Sequence, residues 1–269
     1  MSQPRISVLM PVFNVASFVR ESIDSILNQD FSDFEFIIID DGSTDETASI
    51  VVSYTDARIR FLQNDENRGL VYTLNRGITE ARGEYIARMD GDDICLPYRF
   101  SEQIKFLDAN RGIAMLATRI QLIDEQGQPV GAWPQEERHV EEKEIKKYLP
   151  LSNCIAHPTV MGQAEVFRLF GYREAQRASE DYDLWLRLLA NHYRICKLPA
   201  VTLLHRVHQQ SFMGRKKENG ILLVSKVKLR FFWLEFKELK MNKVVLMCGV
   251  WGLLQLPLGM LKSAKRAIA

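Results

Sequence analysis

Three carboxylates crowd into four positions at Asp90-Gly91-Asp92-Asp93, with two residues between this run and the apolar, strand-like segment 84–87 before it. Like charges at this spacing repel one another, so a fold keeps them together only when a counter-charge lies nearby. A divalent cation is a natural counter-charge, because Mg²⁺ and Mn²⁺ prefer hard oxygen ligands and often bridge to substrate phosphates. The competing interpretation is a solvated turn, since Asp-Gly is a common turn dipeptide.

A second acidic run, Asp40-Asp41-Gly42-Ser43-Thr44-Asp45, follows the apolar segment 34–39. A carboxylate on a turn at a strand end can accept a hydrogen bond from a nucleobase N–H or a ribose hydroxyl. The competing interpretation is helix capping, because Asp, Ser and Thr are good N-caps. Both interpretations stay open for Asp40 and Asp41, whereas capping is favoured for Asp45.

A third acidic segment, Glu180-Asp181-Tyr182-Asp183, precedes apolar residues that recur at helical spacing. The pattern predicts an amphipathic helix with carboxylates in its first turn. The helix dipole by itself favours acidic residues there. Glu180 and Asp183 therefore have an explanation that needs no catalytic role.

The elements that must position these side chains alternate along the chain. Predicted strands lie at 6–12, 34–39, 59–62 and 85–86, and predicted helices at 17–27, 44–54 and 69–80. Such alternation indicates an α/β fold, a mainly parallel sheet flanked by helices. Ligands of such sheets bind beyond the carboxyl ends of the strands. Asn14 and the acidic runs at 40–41 and 90–93 fall at those ends.

An ordered set of six motifs resembles the family 2 glycosyltransferases with the GT-A fold, over about residues 5–212. The motifs are Val8-Leu9-Met10-Pro11-Val12-Phe13-Asn14, Asp40-Asp41-Gly42-Ser43-Thr44-Asp45, Asn67-Arg68-Gly69, Asn75-Arg76-Gly77, Asp90-Gly91-Asp92-Asp93 and Glu180-Asp181-Tyr182-Asp183-Leu184-Trp185. Each motif alone is weak, but the ordered set is specific. The resemblance implies a Rossmann-like sheet and inverting transfer of a sugar from a nucleotide-sugar donor, with uridine expected, to an acceptor hydroxyl.

The resemblance also implies roles for single residues. Nucleotide-sugar contacts are implied for Pro11, Val12, Phe13, Asn14, Asp40, Asp41, Asn67, Arg68, Gly69, Arg88, Asp90 and Gly91. A place on a surface turn remains the alternative for Arg68, and Arg88 shares that alternative. Metal ligands, for Mn²⁺ or Mg²⁺, are implied at Asp92, Asp90 and His208. Asp181 is implied as the general base, with Glu180 as the alternative base or an acceptor contact.

The segment His205-Arg206-Val207-His208 departs from the family pattern Tyr-Arg-x-His, because His205 replaces the Tyr. This departure leaves open whether His208 binds the metal. His157 is expected on the acceptor side, as a family-like residue or as a buried structural one. Asp93 is expected to cap a helix that begins near Leu96-Pro97, since Pro suits a first helical turn.

The length of 269 residues fits one large domain or a domain with an appendage. We expect a glycosyltransferase domain at 1–214, with a nucleotide-binding half to about 110 and an acceptor-binding half beyond it. Four widely spaced cysteines argue against a disulfide framework and for a reducing compartment. No leader pattern precedes the first strand, so a cytoplasmic body is expected. Residues 135–147 are highly charged and predict a solvated helix.

Residues 215–269 form a basic, apolar tail with 12 Lys or Arg and 3 Asp or Glu, although the whole chain carries only +1. Within it, residues 244–261 are 18 positions without a formal charge. A transmembrane helix needs about 20 apolar residues, so a helix lying on the inner face of the cell membrane fits better. The alternative is a helix pair packed on the body or on a second subunit of a homo-oligomer.

Three rival functions remain. A nucleotidyltransferase also pairs carboxylates with a metal, but Met10-Pro11-Val12-Phe13-Asn14 is not the Gly-rich, basic phosphate loop expected of one. A catalytically inactive nucleotide-sugar binder or membrane scaffold would not need both Asp92 and Asp181. Nucleic acid is the weakest partner, because the body is acidic and the tail too apolar. Family analogy alone suggests a lipid-linked saccharide acceptor and a cell-surface polysaccharide such as O-antigen or capsule.

Overall fold

The structure, a computed structural model, describes residues 3–138, 140–176, 178–208, 220–238 and 240–268. Its strands are β1 (Ile6–Val12), β2 (Phe34–Asp40), β3 (Ile59–Gln63), β4 (Tyr85–Arg88), β5 (Ile94–Cys95), β6 (Ile113–Ile123), β7 (Met161–Gln163) and β8 (Arg194–Arg206). Its helices are α1 (Val19–Leu27), α2 (Thr47–Val52), α3 (Leu70–Glu80), α4 (Arg99–Ala109), α5 (Pro134–Arg138), α6 (Glu142–Tyr148), α7 (Ala164–Phe170), α8 (Glu180–Ala190), α9 (Gly220–Lys237) and α10 (Lys243–Ile268). A 3-10 turn covers His157–Thr159. The predicted α/β alternation is confirmed.

The strands form one mixed sheet in the order β3-β2-β1-β4-β7-β6-β8-β5. The β3-β2-β1-β4 half is parallel, whereas β7 runs antiparallel to both β4 and β6. The carboxyl ends of β1, β2 and β4 therefore meet at one edge, where strand order reverses around β1. That edge is where an open α/β sheet binds ligands.

Side chains of β1 and β2 alternate between two hydrophobic clusters, one on each face of the sheet. Leu9 and Ile37 pack on the face covered by α3 and α8, whereas Val8 and Phe36 pack on the face covered by α1 and α4. Both faces are buried, as expected for parallel strands. Polar chemistry is thus confined to the strand ends.

The prediction of one solvated helix at 135–147 is wrong. The segment forms two short helices, α5 and α6, and Glu136 on α5 is fully buried beside Lys197. The expectation that Asp93 caps the following helix is also wrong. Helix α4 begins only at Arg99 and has no side-chain cap, and Asp93 bonds to β8 instead.

The C-terminal hairpin, α9 and α10, runs antiparallel and packs on α8. Phe231 of α9 and Cys248 of α10 belong to the same buried cluster as Trp185 of α8. Of the two placements weighed for the tail, packing on the body is therefore what the described residues display. No helix among them is long and apolar enough to cross a membrane.

Candidate active site

The loops after β1 and β2 are tied to each other through Asn14. Its Oδ1 accepts a hydrogen bond from the Thr44 N–H at 2.8 Å, and its own N–H donates to Ser43 Oγ at 2.9 Å. Asn14 has φ +51°, a left-handed conformation that Asn tolerates better than most residues. Asp40 closes the same turn by accepting from the Ser43 N–H at 3.2 Å. Phe13 remains 43% exposed at this edge, so its ring is available to a ligand.

Asp41 is buried and holds the segment that leads into α3. One carboxylate oxygen accepts from Asn64 Nδ2 at 2.6 Å and from the Arg68 N–H at 2.9 Å. The other accepts from the Gly69 N–H at 2.8 Å. Gly69 has φ +88°, which favours glycine. These bonds give Asp41 a structural role, and a nucleoside contact for Asp40 or Asp41 remains a prediction.

A polar cleft of about 480 Å³ lies beside this segment. It is lined by Gln63, Asn64, Asp65, Glu66, Arg68, Tyr72 and Arg76. The Arg68 guanidinium lies over the Tyr72 ring, 4.6 Å from its centroid, and Arg76 donates to Asn64 Oδ1 at 2.6 Å. Arg68 is exposed at the cleft, which is compatible both with a nucleotide-sugar contact and with a place on a surface turn. Tyr72 was not predicted from the sequence, because it belongs to none of the six motifs.

The 90–93 run meets the end of β8, and two carboxylate–imidazole contacts join them. Asp92 Oδ2 lies 2.8 Å from His208 Nε2, and Asp93 Oδ2 lies 2.9 Å from His205 Nδ1. Ligand atoms of Asp90, Asp93 and His205 all lie within 4.8 Å of one another. Carboxylate oxygens and imidazole nitrogens are suitable ligands for Mn²⁺, so the residues present fit a divalent metal. The expected ligands Asp92 and His208 form one contact, whereas Asp90 groups with two residues not predicted as ligands.

Burial and charge set the ionisation of His205. Burial by itself would lower its pKa, but the neighbouring carboxylates, Asp93 foremost, outweigh burial and raise that pKa to about 9. His205 therefore carries its proton at neutral pH while it pairs with Asp93, and it would have to release that proton to bind a metal. Gly91 is one of the implied nucleotide-sugar contacts, a role that stays a prediction. In the structure a Cβ there would lie 2.7 Å from Val12 Cγ1, so packing on β1 already requires a glycine.

Arg88 is the buried cation of the site. Only 3% of it is exposed, and its guanidinium forms an ion pair with Asp90. Its Nε has no hydrogen-bond partner among the residues that the structure describes. Burial raises the pKa of both Glu180 and Asp181, and the Arg88 charge partly opposes that rise. Arg88 is thus a positive charge shared by the 90–93 run and the acidic start of α8, rather than a residue on a surface turn.

The carboxylates at the start of α8 lie in a largely buried environment. Burial raises the pKa of Asp181 and Glu180. Asn153 Nδ2 donates to Asp181 Oδ2 at 3.0 Å, which favours the ionised form. Ser179 just before the helix has φ +54°, a conformation uncommon for serine that turns the chain into α8. A buried carboxylate held by one amide is suited to accept a proton.

His157 lies next to Glu180 and is neutral, because burial lowers its pKa well below 6.5. Its Nε2 lies 2.8 Å from the Tyr172 hydroxyl, and either group can donate in this hydrogen bond. Burial raises the pKa of Tyr172, so the phenol is neutral. On the other side of the ring, His157 Nδ1 lies 3.7 Å from Glu180 Oε1. Sequence reasoning missed Asn153 and Tyr172, neither of which belongs to a motif.

Asp183 serves the structure of this region. Its oxygens accept hydrogen bonds from Arg187 Nε at 2.9 Å and from Arg173 Nη1 at 3.2 Å. Arg173 Nη2 also donates to Glu235 of α9 at 2.7 Å. The acidic residues in the first turn of α8 therefore have different contacts. Asp183 ties α8 to its neighbours, whereas Glu180 and Asp181 face the site.

Sequence comparison identifies the family. The model described as Glycosyl transferase family 2 matches residues 7–169. An uncharacterized glycosyltransferase of Methanocaldococcus jannaschii is 34% identical over 226 residues, 82% of this chain and 77% of the relative. The O-antigen biosynthesis glycosyltransferase WbnJ of Escherichia coli is 39% identical over 212 residues, 77% of this chain and 81% of the relative. The chain belongs to glycosyltransferase family 2 and is a glycosyltransferase.

Solved structures confirm the GT-A fold. Residues 1–349 of S. aureus TarS in complex with UDP align with a TM-score of 0.64 and 21% identity. The alignment covers 84% of this chain and 65% of that one, so this chain spans just under two thirds of it. The mannosyltransferase PcManGT from Pyrobaculum calidifontis, in complex with GDP-Man and Mn²⁺, aligns with a TM-score of 0.66 and 18% identity over 100% of this chain and 76% of that one.

Proposed function

We propose that this glycosyltransferase moves a sugar from a nucleoside diphosphate sugar to an acceptor hydroxyl with inversion, with Asp181 as the general base. The observation that carries the proposal is the charge arrangement around Arg88, which pairs with Asp90 and whose charge opposes the rise that burial causes in the pKa of Asp181. The proposed base Asp181 and the acidic run 90–93 thus lie near the same cation. The fold neighbours were solved with UDP, UDP-GlcNAc or GDP-Man, which supports a nucleotide-sugar donor, and a UDP-sugar is the first candidate.

Each group has a distinct task in this mechanism. Phe13 and Asn14 line the nucleoside side, and Arg88 and Asp90 face the diphosphate and ribose. Asp181 takes the proton of the acceptor hydroxyl as its oxygen attacks the anomeric carbon. Burial raises the pKa of Glu180, so this side chain stays protonated to a higher pH than an exposed glutamate does. Glu180 contacts the acceptor.

A divalent cation held by Asp90, Asp92 and His208 would neutralise charge on the leaving diphosphate. We assign the donor to residues 1 to about 110 and the acceptor to the part from about 111 to 214. The relative WbnJ is named for O-antigen biosynthesis, which supports a lipid-linked saccharide of a cell-surface polysaccharide as the acceptor.

The outer face of the C-terminal hairpin supports docking on an anionic membrane, at its cytoplasmic side. Large apolar side chains are exposed along it, namely Trp233, Phe236, Leu246, Val250, Trp251, Leu253, Leu254, Leu258 and Met260. Residues 243–268 contain no Asp or Glu, and Lys237 and Lys243 flank the junction of the two helices. Glu238 at this junction is paired with Lys240 at 2.7 Å. Exposed apolar and aromatic groups beside several lysines suit an interfacial helix on acidic lipid.

Calorimetry with UDP, GDP and ADP, each with and without Mn²⁺, tests the donor site. Mn²⁺-dependent binding of one diphosphate, followed by release of that diphosphate from its sugar conjugates, is the expected result. Binding without any turnover would favour the inactive scaffold, and pyrophosphate release from a nucleoside triphosphate would favour a nucleotidyltransferase. Folded protein that binds none of the three would overturn the proposal.

A further inference from the structure

The C-terminal hairpin reaches the catalytic carboxylate through a buried lysine. Lys228 of α9 is 0% exposed, and its Nζ donates to the Leu151 carbonyl at 2.8 Å and to Gln255 Oε1 of α10. Two residues after Leu151, Asn153 donates to Asp181. We infer that Lys228 is a positioning residue that holds the Asn153 amide on the Asp181 carboxylate. The inference rests on the proposed function, in which Asp181 is the base.

Side chains hold the segment 149–153 at both ends and in the middle. The Tyr182 hydroxyl donates to the Leu149 carbonyl at 2.6 Å, and Asn153 bonds to Asp181 at 3.0 Å. Between them the Leu151 carbonyl accepts from Lys228 Nζ at 2.8 Å and, more weakly, from Gln255 Nε2 at 3.5 Å. Tyr182 and Asp181 both lie in the first turn of α8, so the segment spans the very turn that carries the base. Without its middle anchor the segment can shift and carry Asn153 away.

The chemistry of Lys228 favours this role over simple packing. The partners of Lys228 within the described chain are a carbonyl and an amide oxygen rather than a carboxylate, and burial lowers its pKa to about 8. An unpaired buried ammonium destabilises a core unless hydrogen bonds compensate it. A methionine would fill the same space without that cost. What methionine cannot supply is the pair of N–H donors that joins α9, α10 and the Leu151 carbonyl.

The substitution Lys228→Met tests the inference, with Lys226→Met as the control, because Lys226 is an exposed lysine on the same helix. The assay uses the diphosphate and sugar conjugate identified by the calorimetric panel, with release of the diphosphate as the measured rate. We expect kcat to fall about 10-fold to 100-fold in K228M, since small misplacements of reacting groups cost about that much. The donor dissociation constant should stay within about twofold, and K226M should match the wild type. A K228M rate equal to that of K226M, or a parallel loss of donor affinity, would overturn the inference.

A double-mutant cycle with Asn153→Ala tests the route of the effect. If Lys228 acts through Asn153, the variant carrying both substitutions should be no slower than N153A alone, because coupled residues are not additive. Multiplied losses would overturn the inference. Hydrogen exchange gives a measure that needs no turnover. Residues 149–153 should exchange faster in K228M while β1 and β2 do not, whereas uniformly faster exchange would indicate a purely structural role.

Two further variants separate the possible failures. If K228M does not fold, Gln255→Leu serves instead, because it removes one acceptor of Lys228. Q255L alone should lower kcat less than K228M would. The variant with both Q255L and N153A should be no slower than N153A alone. A Q255L rate equal to the wild type would then count against the inference. If Asp181→Asn retains turnover, the proposed function itself fails. If D181N is inert while K228M behaves as K226M, only the role of Lys228 fails.

Discussion

Asp92 and His208 are 116 positions apart in sequence, yet Asp92 Oδ2 and His208 Nε2 lie 2.8 Å apart. The contact joins the loop after β4 to the residues that follow β8. Arg206 braces the same junction, because its Nε donates to the Asp92 carbonyl at 2.9 Å. A carboxylate and an imidazole held face to face at a sheet edge are suited to share a cation.

Replacing either member of this pair should weaken metal-dependent donor binding. We expect Asp92→Ala and His208→Ala each to lower the affinity for Mn²⁺ with diphosphate by about 10-fold or more, since even indirect supports of a metal site are worth about 10–100-fold. Calorimetric Mn²⁺ titration in the presence of the diphosphate measures it. His192→Ala, at an exposed histidine, is the control, and an unchanged titration in D92A would remove Asp92 from the metal site.

Loss of the proposed base should separate chemistry from binding. Asp181→Asn should lower the turnover rate by about 10²-fold to 10⁴-fold, the usual contribution of general base catalysis. The donor affinity should remain within about twofold, because Asp181 lies on α8 and not on the strands of the donor half. Glu180→Gln should lower turnover less than D181N does. The reverse order of the two variants would transfer the role of base to Glu180.

Stability should depend on pH through Glu180. Burial raises its pKa in the folded protein above the usual 4.5, so the folded state favours the protonated form. The stability from this difference is present at low pH and is lost as pH rises through the folded pKa. Glu180→Gln removes the ionisation, so its Tm relative to wild type should increase between about pH 5 and pH 9. Glu165→Gln, at an exposed position of α7, should give a Tm difference that does not change with pH.

Charge placed on the outer face of the hairpin should abolish membrane docking. Val250 and Leu254 are 56% and 59% exposed on α10, so a V250E/L254E double variant should fold. It should no longer sediment with vesicles of phosphatidylcholine and phosphatidylglycerol, whereas wild type should, less so in high salt. Leu169→Glu, at a site 69% exposed on α7, is the control. If the wild type does not sediment with the vesicles and instead forms dimers, a second copy of the chain covers this face.

Sequence reasoning located what local chemistry determines. Alternating apolar runs predicted the strands, and the Asp41 and 90–93 segments fell at their ends because the middle of a parallel strand that is buried on both faces is apolar. The contact partners of these groups could not be predicted from the sequence, because the partners lie far away along the chain. Arg206 pairs with Glu21 across 185 positions, and Asn153 meets Asp181 through a turn with no motif. Nor does any local pattern distinguish buried Glu136 from the exposed acids of its charged segment.

The shared core of α8 and the C-terminal hairpin also orders the events of biosynthesis. A ribosome releases α8 before α9 and α10, so a nascent chain exposes the apolar side of α8 around Trp185 until Phe231 and Cys248 arrive to cover it. Domains complete their folding only when all their core segments have emerged. Helix α10 is therefore the element that completes the packing around the first turn of α8. A chain stalled before α10 would have its donor-side strands but not the packed helix that carries Asp181.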